Sequence, residues 1–122
     1  MLLFTPGPTP VPEDVRAAMS GPTLHHRTPE FEAVFKQTRQ KLFTLFGMDE
    51  VLMLASSGSG AMEAAVTNLC EKKVLVVNSG KFGARFVQIA QAFGKEVVEL
   101  GYEWDTPVKL TDVEAVLSEH ED

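Results

Sequence analysis

The chain has 122 residues, enough for one compact domain or one piece of something larger, and too few for a two-domain enzyme. Its 11 basic and 17 acidic residues leave a net charge of −6, and 44% hydrophobic against 23% charged residues is a globular composition, neither disordered nor collagen-like. The acidic balance and the lack of a basic stripe exclude nucleic acid as a main partner, since that affinity comes from lysine and arginine neutralising phosphates.

The predicted elements begin with an arm. Thr5-Pro6-Gly7-Pro8-Thr9-Pro10-Val11-Pro12 holds four prolines, which fix φ and remove ladder donors, so an extended lead-in is expected. Asp14 to Met19 reads as a short helix started by Pro12 and ended by Gly21-Pro22. A longer helix follows, with Thr28 as N-cap and Pro29 at its first position. Phe31, Val34, Phe35, Thr38, Leu42, Leu45 and Phe46 recur at three- and four-residue spacing up to Gly47, predicting one buried face.

From residue 51 the pattern alternates. Val51-Leu52-Met53-Leu54-Ala55 reads as a strand, and Met62, Ala65, Val66 and Leu69 as a helical stripe. Val74-Leu75-Val76-Val77 is a second strand, followed by Phe86, Ile89, Ala90 and Phe93 at helical spacing and a C-cap at Gly94. Val97-Val98 with Leu100 is a third strand, and Thr111-Asp112-Val113-Glu114 reads as a capping box opening a last helix. Strand and helix in alternation predict a parallel α/β sheet. Ligands of such sheets gather outside the carboxyl ends of the strands, which directs attention to the loops at residues 56–60, 78–83 and 101–110.

Ser56-Ser57-Gly58-Ser59-Gly60 lies between a predicted strand and a helix N-terminus. Unpaired N–H groups and the positive end of the helix dipole make such a turn an anion cradle, although a serine N-cap after a glycine turn has the same look. A Walker loop would need a lysine after its last glycine, and a dinucleotide fingerprint a glycine where Glu63 stands. In Asn78-Ser79-Gly80-Lys81-Phe82-Gly83, the ring of Phe82 sits between glycines on the same edge. It is either core folded back onto the sheet or a platform that stacks on a flat ligand ring. His25-His26-Arg27 offers three possible cations; the adjacent histidines should project apart on an extended segment, and Arg27 is able to hold a carboxylate, although an exposed polar loop is the commoner reading.

One cysteine, Cys70, permits no internal disulfide and no thiolate cluster, which fits a reducing compartment. The N-terminal apolar run is too short for a signal-peptide core, and no stretch approaches the roughly 18 apolar residues of a membrane span. A cytoplasmic protein with no membrane partner is expected.

Thr5-Pro6-Gly7-Pro8, His26-Arg27-Thr28-Pro29-Glu30-Phe31, Ser57-Gly58-Ser59-Gly60-Ala61-Met62-Glu63-Ala64 and Gly80-Lys81-Phe82-Gly83, in that order, resemble the class V pyridoxal-phosphate aminotransferases. The nearest branch is the serine–pyruvate, alanine–glyoxylate and serine–glyoxylate transaminases. The resemblance runs along the whole chain. It implies the N-terminal part of the large domain of a fold-type I enzyme, a three-layer α/β/α unit with a mainly parallel sheet. Residues 1–28 would be an N-terminal arm and residues 29–122 the first part of the cofactor-binding domain.

By the same resemblance, Ser57, Gly58 and Ser59 bind the phosphate of pyridoxal 5'-phosphate and Phe82 stacks on its ring, where relatives often carry tryptophan or tyrosine. Gly7, Thr9 and Arg27 belong to the substrate pocket. The implied reaction moves an amino group from alanine or serine to glyoxylate or pyruvate in a homodimer. The Schiff-base lysine would lie past residue 122 and match none of the seven lysines present, so the chain alone is expected to be inactive and to require that further part. The first strand would then lack its sheet neighbours, and the chain alone is expected not to unfold cooperatively. A non-catalytic α/β module holding a phosphorylated ligand at residues 57–60 is the competing expectation.

Overall fold

The computed structural model describes residues 2–120 and divides into two compact units between Leu52 and Met53. The first unit holds α1 (Glu13–Met19) and α2 (Pro29–Phe46). Its arm is not fully extended: residues 5–8 bend, and the Thr5 hydroxyl donates to the Pro8 carbonyl at 2.8 Å. Helix α2 begins as its sequence predicts. The Thr28 side chain accepts from the Phe31 N–H at 3.4 Å, and Gly47 ends the helix in the left-handed region (φ 63°) that glycine alone enters without strain. No residue of α2 is buried, contrary to the expected buried face, and Leu45 is 74% exposed. Periodicity fixes which side of a helix is apolar, but burial requires a second surface, and the other helix among the described residues of this unit has seven residues.

The second unit is built on β1 (Lys73–Asn78), α4 (Lys81–Ala92) and β2 (Glu96–Gly101), preceded by α3 (Gly58–Leu69) and followed by α5 (Leu110–Glu119). Strands β1 and β2 pair in parallel, with Val74 opposite Val97 and Leu75 opposite Val98, and α4 is the crossover between them. Alternation sends the first pair to one face and the second to the other. Val74 and Val97 pack against Val66 of α3 and Ile89 and Ala90 of α4. Leu75 and Val98 line a cleft with Val116 and Leu117 of α5. Helices therefore cover both faces, giving the α/β/α layering expected of this class.

Three sequence expectations fail here. Residues 51–55 form no strand, and Leu52 is 85% exposed: an apolar run becomes a strand only where a neighbour takes its ladder bonds, and none is present among the described residues. Leu69 and Phe93, assigned to apolar stripes, are 83% and 50% exposed. Leu69 borders an apolar cleft of about 270 Å³ with Val74, Val76 and Phe86, where nothing covers it, and Phe93 already belongs to the C-cap of α4. The capping box at Thr111–Glu114 does not form, because α5 starts earlier, at Leu110. Tyr102 takes over the capping role, accepting from the Lys109 N–H at 3.3 Å and donating to the Asp112 carboxylate at 2.7 Å.

Candidate functional site

Topology places two helix N-termini on one edge of the sheet. Helix α3 leads through residues 70–72 into the start of β1, so its C-terminus lies at the amino end of that strand. Twelve helical residues span about 18 Å and six strand residues about 20 Å, which returns the α3 N-terminus to the carboxyl end of β1. Helix α4 starts three residues after β1 ends, at the same edge, and packs beside α3 through Val66, Ile89 and Ala90.

At the α3 N-terminus, Ser57 is the N-cap residue, yet its side chain makes no capping bond, and no acidic side chain stands in the first turn. The Ser56 hydroxyl donates to the Ser57 carbonyl at 2.9 Å, and the Gly60 N–H donates to the same oxygen at 2.9 Å. This winding is tight: a Cβ at Gly60 would lie 2.2 Å from Ser56 Oγ and 2.6 Å from its Cβ. Ser57 and Gly58 are exposed and Ser59 half-buried. Their amides thus stand at the positive end of a twelve-residue helix with no side-chain cap, an arrangement suited to a phosphate.

The N-terminus of α2 differs. Thr28 caps it, and the Glu30 carboxyl is held below its ordinary range, first by its own backbone N–H and then by the Thr28 hydroxyl. That helix end already holds its anion, and the α3 end does not.

Phe82, in the first turn of α4, is 66% exposed, so its ring is not folded back into the core. Its backbone is set by neighbours. The Gly80 N–H donates to Asn78 Oδ1 at 3.2 Å, and Gly83 lies so close to the strand end that a Cβ there would be 2.6 Å from both Cα and Oδ1 of Asn78. The structure therefore brings Ser57, Gly58, Ser59 and Phe82 to one edge of the second unit. Sequence reasoning did not single out Asn78; an asparagine ending a strand two residues before a glycine is the signal that would have found it.

Gly7, Thr9 and Arg27 lie in the first unit and are exposed. Arg27 borders an open cleft of about 370 Å³ with His26, Phe31 and Phe35, whose two phenyl rings stack at 6.2 Å. The His25 and His26 rings do not project apart but stack at 4.7 Å, because the turn folds back: the Arg27 N–H donates to His25 Nδ1 and the Thr28 N–H to the His25 carbonyl. No group of three histidine, cysteine, aspartate or glutamate side chains suited to a metal occurs among the described residues. Nor is any helix among them long and apolar enough to cross a membrane.

No protein-family model matches the chain. It is 51% identical, over 96% of its length, to an uncharacterised aminotransferase of Helicobacter pylori. It superposes with a TM-score of 0.85 and 40% identity, over 93% of its length, on an aspartate aminotransferase of subgroup IV from Thermus thermophilus. Its homologues are aminotransferases. An alanine–glyoxylate aminotransferase from Nostoc sp. has the same fold over 94% of the chain, with a TM-score of 0.85 and 28% identity. The chain spans about a third of the length of these relatives, 32% of the Helicobacter and Nostoc proteins and 33% of the Thermus enzyme.

Proposed function

We propose that this chain supplies the phosphate-and-ring cradle of a class V aminotransferase that uses pyridoxal 5'-phosphate. The observation that carries the reading is the convergence, on one sheet edge, of an uncapped helix N-terminus wound too tightly for a side chain at Gly60 and an exposed ring at Phe82. A phosphorylated ligand with a flat ring needs both; a phosphate alone would need only the first. When bound, the cofactor supplies the electron sink for carbon–nitrogen chemistry.

The chain's own residues do the rest. The amides of Ser57, Gly58 and Ser59, with the two serine hydroxyls, accept the phosphate dianion on the α3 dipole and so fix one end of the cofactor. Phe82 presents its face to the heterocycle and shields it from water on that side. Arg27 provides a cation for the substrate carboxylate, and Gly7 and Thr9 belong to the wall of the same pocket. The lysine that carries the cofactor is none of the seven in this chain.

The amino donor is a small amino acid, alanine or serine, and the acceptor glyoxylate or pyruvate. Similarity to the Nostoc alanine–glyoxylate enzyme supports alanine as donor and glyoxylate as acceptor. The resemblance adds a homodimer, and the single cysteine a cytoplasmic location. The test is titration of pyridoxal phosphate into the full-length protein and its Phe82→Ala variant, followed by cofactor absorbance. Loss of one stacked ring should weaken binding roughly 3- to 10-fold. Unchanged affinity would leave a phosphate cradle without a ring site and favour the non-catalytic phosphoryl-binding module.

A further inference from the structure

Asn78, the last residue of β1, links the turn that carries Phe82 to β2. Its Nδ2 donates to Glu99 Oε1 on β2 at 2.7 Å, while its Oδ1 accepts from the Gly80 N–H at 3.2 Å. Its backbone carbonyl accepts from the Tyr102 N–H at 2.8 Å, extending the β1–β2 ladder by one rung past the strand ends. The Gly83 backbone rests on its Cα and Oδ1, where a Cβ would come within 2.6 Å. One carboxamide thus touches the turn that carries Phe82 on both sides of the ring, at Gly80 before it and Gly83 after it, and ties that turn across the sheet to Glu99.

The requirement is chemical. The position needs an acceptor facing Gly80 and a donor facing a carboxylate, on one short planar group. An ionised aspartate offers acceptors only and would set two carboxylates against each other. A leucine offers neither and would leave the Gly80 N–H without its partner.

We propose that Asn78 is the positioning residue of the Phe82 platform, with Glu99 as its anchor across the sheet. It does not touch the cofactor; it sets the angle at which the ring is presented. The proposal rests on the pyridoxal-phosphate reading above.

The test uses the full-length protein and two readouts, pyridoxal phosphate affinity and the circular dichroism of the bound cofactor in its own absorption band, which reports the asymmetry of its surroundings. Asn78→Asp should weaken binding about 5-fold and diminish the dichroic band, while Glu99→Gln, which keeps an acceptor toward Asn78, should stay within about 2-fold. In the double variant the carboxylate and the amide trade strands, so the donor now comes from position 99, and affinity and dichroism should return to within about 2-fold of the parent. Glu99→Ala, at an exposed position, gives an independent arm with an expected loss of about 3-fold and a weaker band, and it decides the matter if Asn78→Asp does not fold.

The proposal is overturned if Asn78→Asp folds and binds the cofactor as the parent does. It is equally overturned if the double variant shows no recovery, or if Glu99→Ala leaves affinity and dichroism untouched. A fall in melting temperature with both cofactor readouts unchanged would assign Asn78 to the fold alone. Failure of the underlying reading looks different, since Phe82→Ala would then bind pyridoxal phosphate as well as the parent.

Discussion

Gly60 and Gly83 are required by collision and not by backbone angle, since neither has a positive φ. At Gly83 the obstacle is the Cα of Asn78, which cannot yield without moving β1. Gly83→Ala should therefore destabilise the full-length protein by about 1–3 kcal/mol, read from urea unfolding, whereas Gly80→Ala, with nothing within 4 Å of its added Cβ, should have a much smaller effect. Tyr102 makes a second residue-scale prediction. Partial burial, followed by its bond to Asp112, raises its phenol above the ordinary value. A raised folded value means the contribution is complete below the unfolded phenol's pKa, near 10, and is lost as pH rises through the folded one. The parent should lose stability through that alkaline window and Tyr102→Phe should lose less, a comparison read from melting temperatures at stepped pH. Equal alkaline slopes in the two proteins would contradict it.

At the scale of elements, the start of α5 separates motif from structure. Thr111–Glu114 has the lettering of a capping box, but Tyr102, eight residues before the helix, binds both the Lys109 N–H and Asp112. Thr111→Ala should accordingly change stability by no more than about 0.5 kcal/mol, and Asp112→Ala should lower the melting temperature clearly. The reverse order would restore the capping box. Elements whose evidence is local were legible: Thr28 and Pro29 open α2, Gly47 closes it, and the Val74–Val77 run is a strand. Elements whose existence depends on a distant neighbour were not. Residues 51–55 are as apolar as β1, but β1 has β2 beside it, and that difference is a matter of pairing that no local pattern contains. The site divides in the same way. The serine turn and Phe82 could be read from their places between elements, while Asn78 and the tight approaches of Gly60 and Gly83 depend on contacts formed only in the folded chain.

For the molecule as a whole, the buried apolar residues among those described, Val66, Val76, Val87, Ile89 and Ala90, all lie in the second unit. Large side chains such as Phe4, Leu52, Leu69 and Phe82 are each more than 60% exposed. So small a buried set does not offset the conformational entropy of ordering a chain of this length. The 122-residue chain by itself is therefore predicted to melt over a broad range and to bind an apolar dye; a sharp calorimetric transition with an enthalpy near ~0.7 kcal/mol per residue would contradict that. The central claim, that the α3 N-terminus and Phe82 together hold one ligand, is tested most directly by a crystal structure of the full-length protein with pyridoxal phosphate. The account predicts phosphate oxygens on the amides of residues 57–59 and the pyridine ring against the face of Phe82. Phosphate bound elsewhere, or a ring without contact to Phe82, would contradict it.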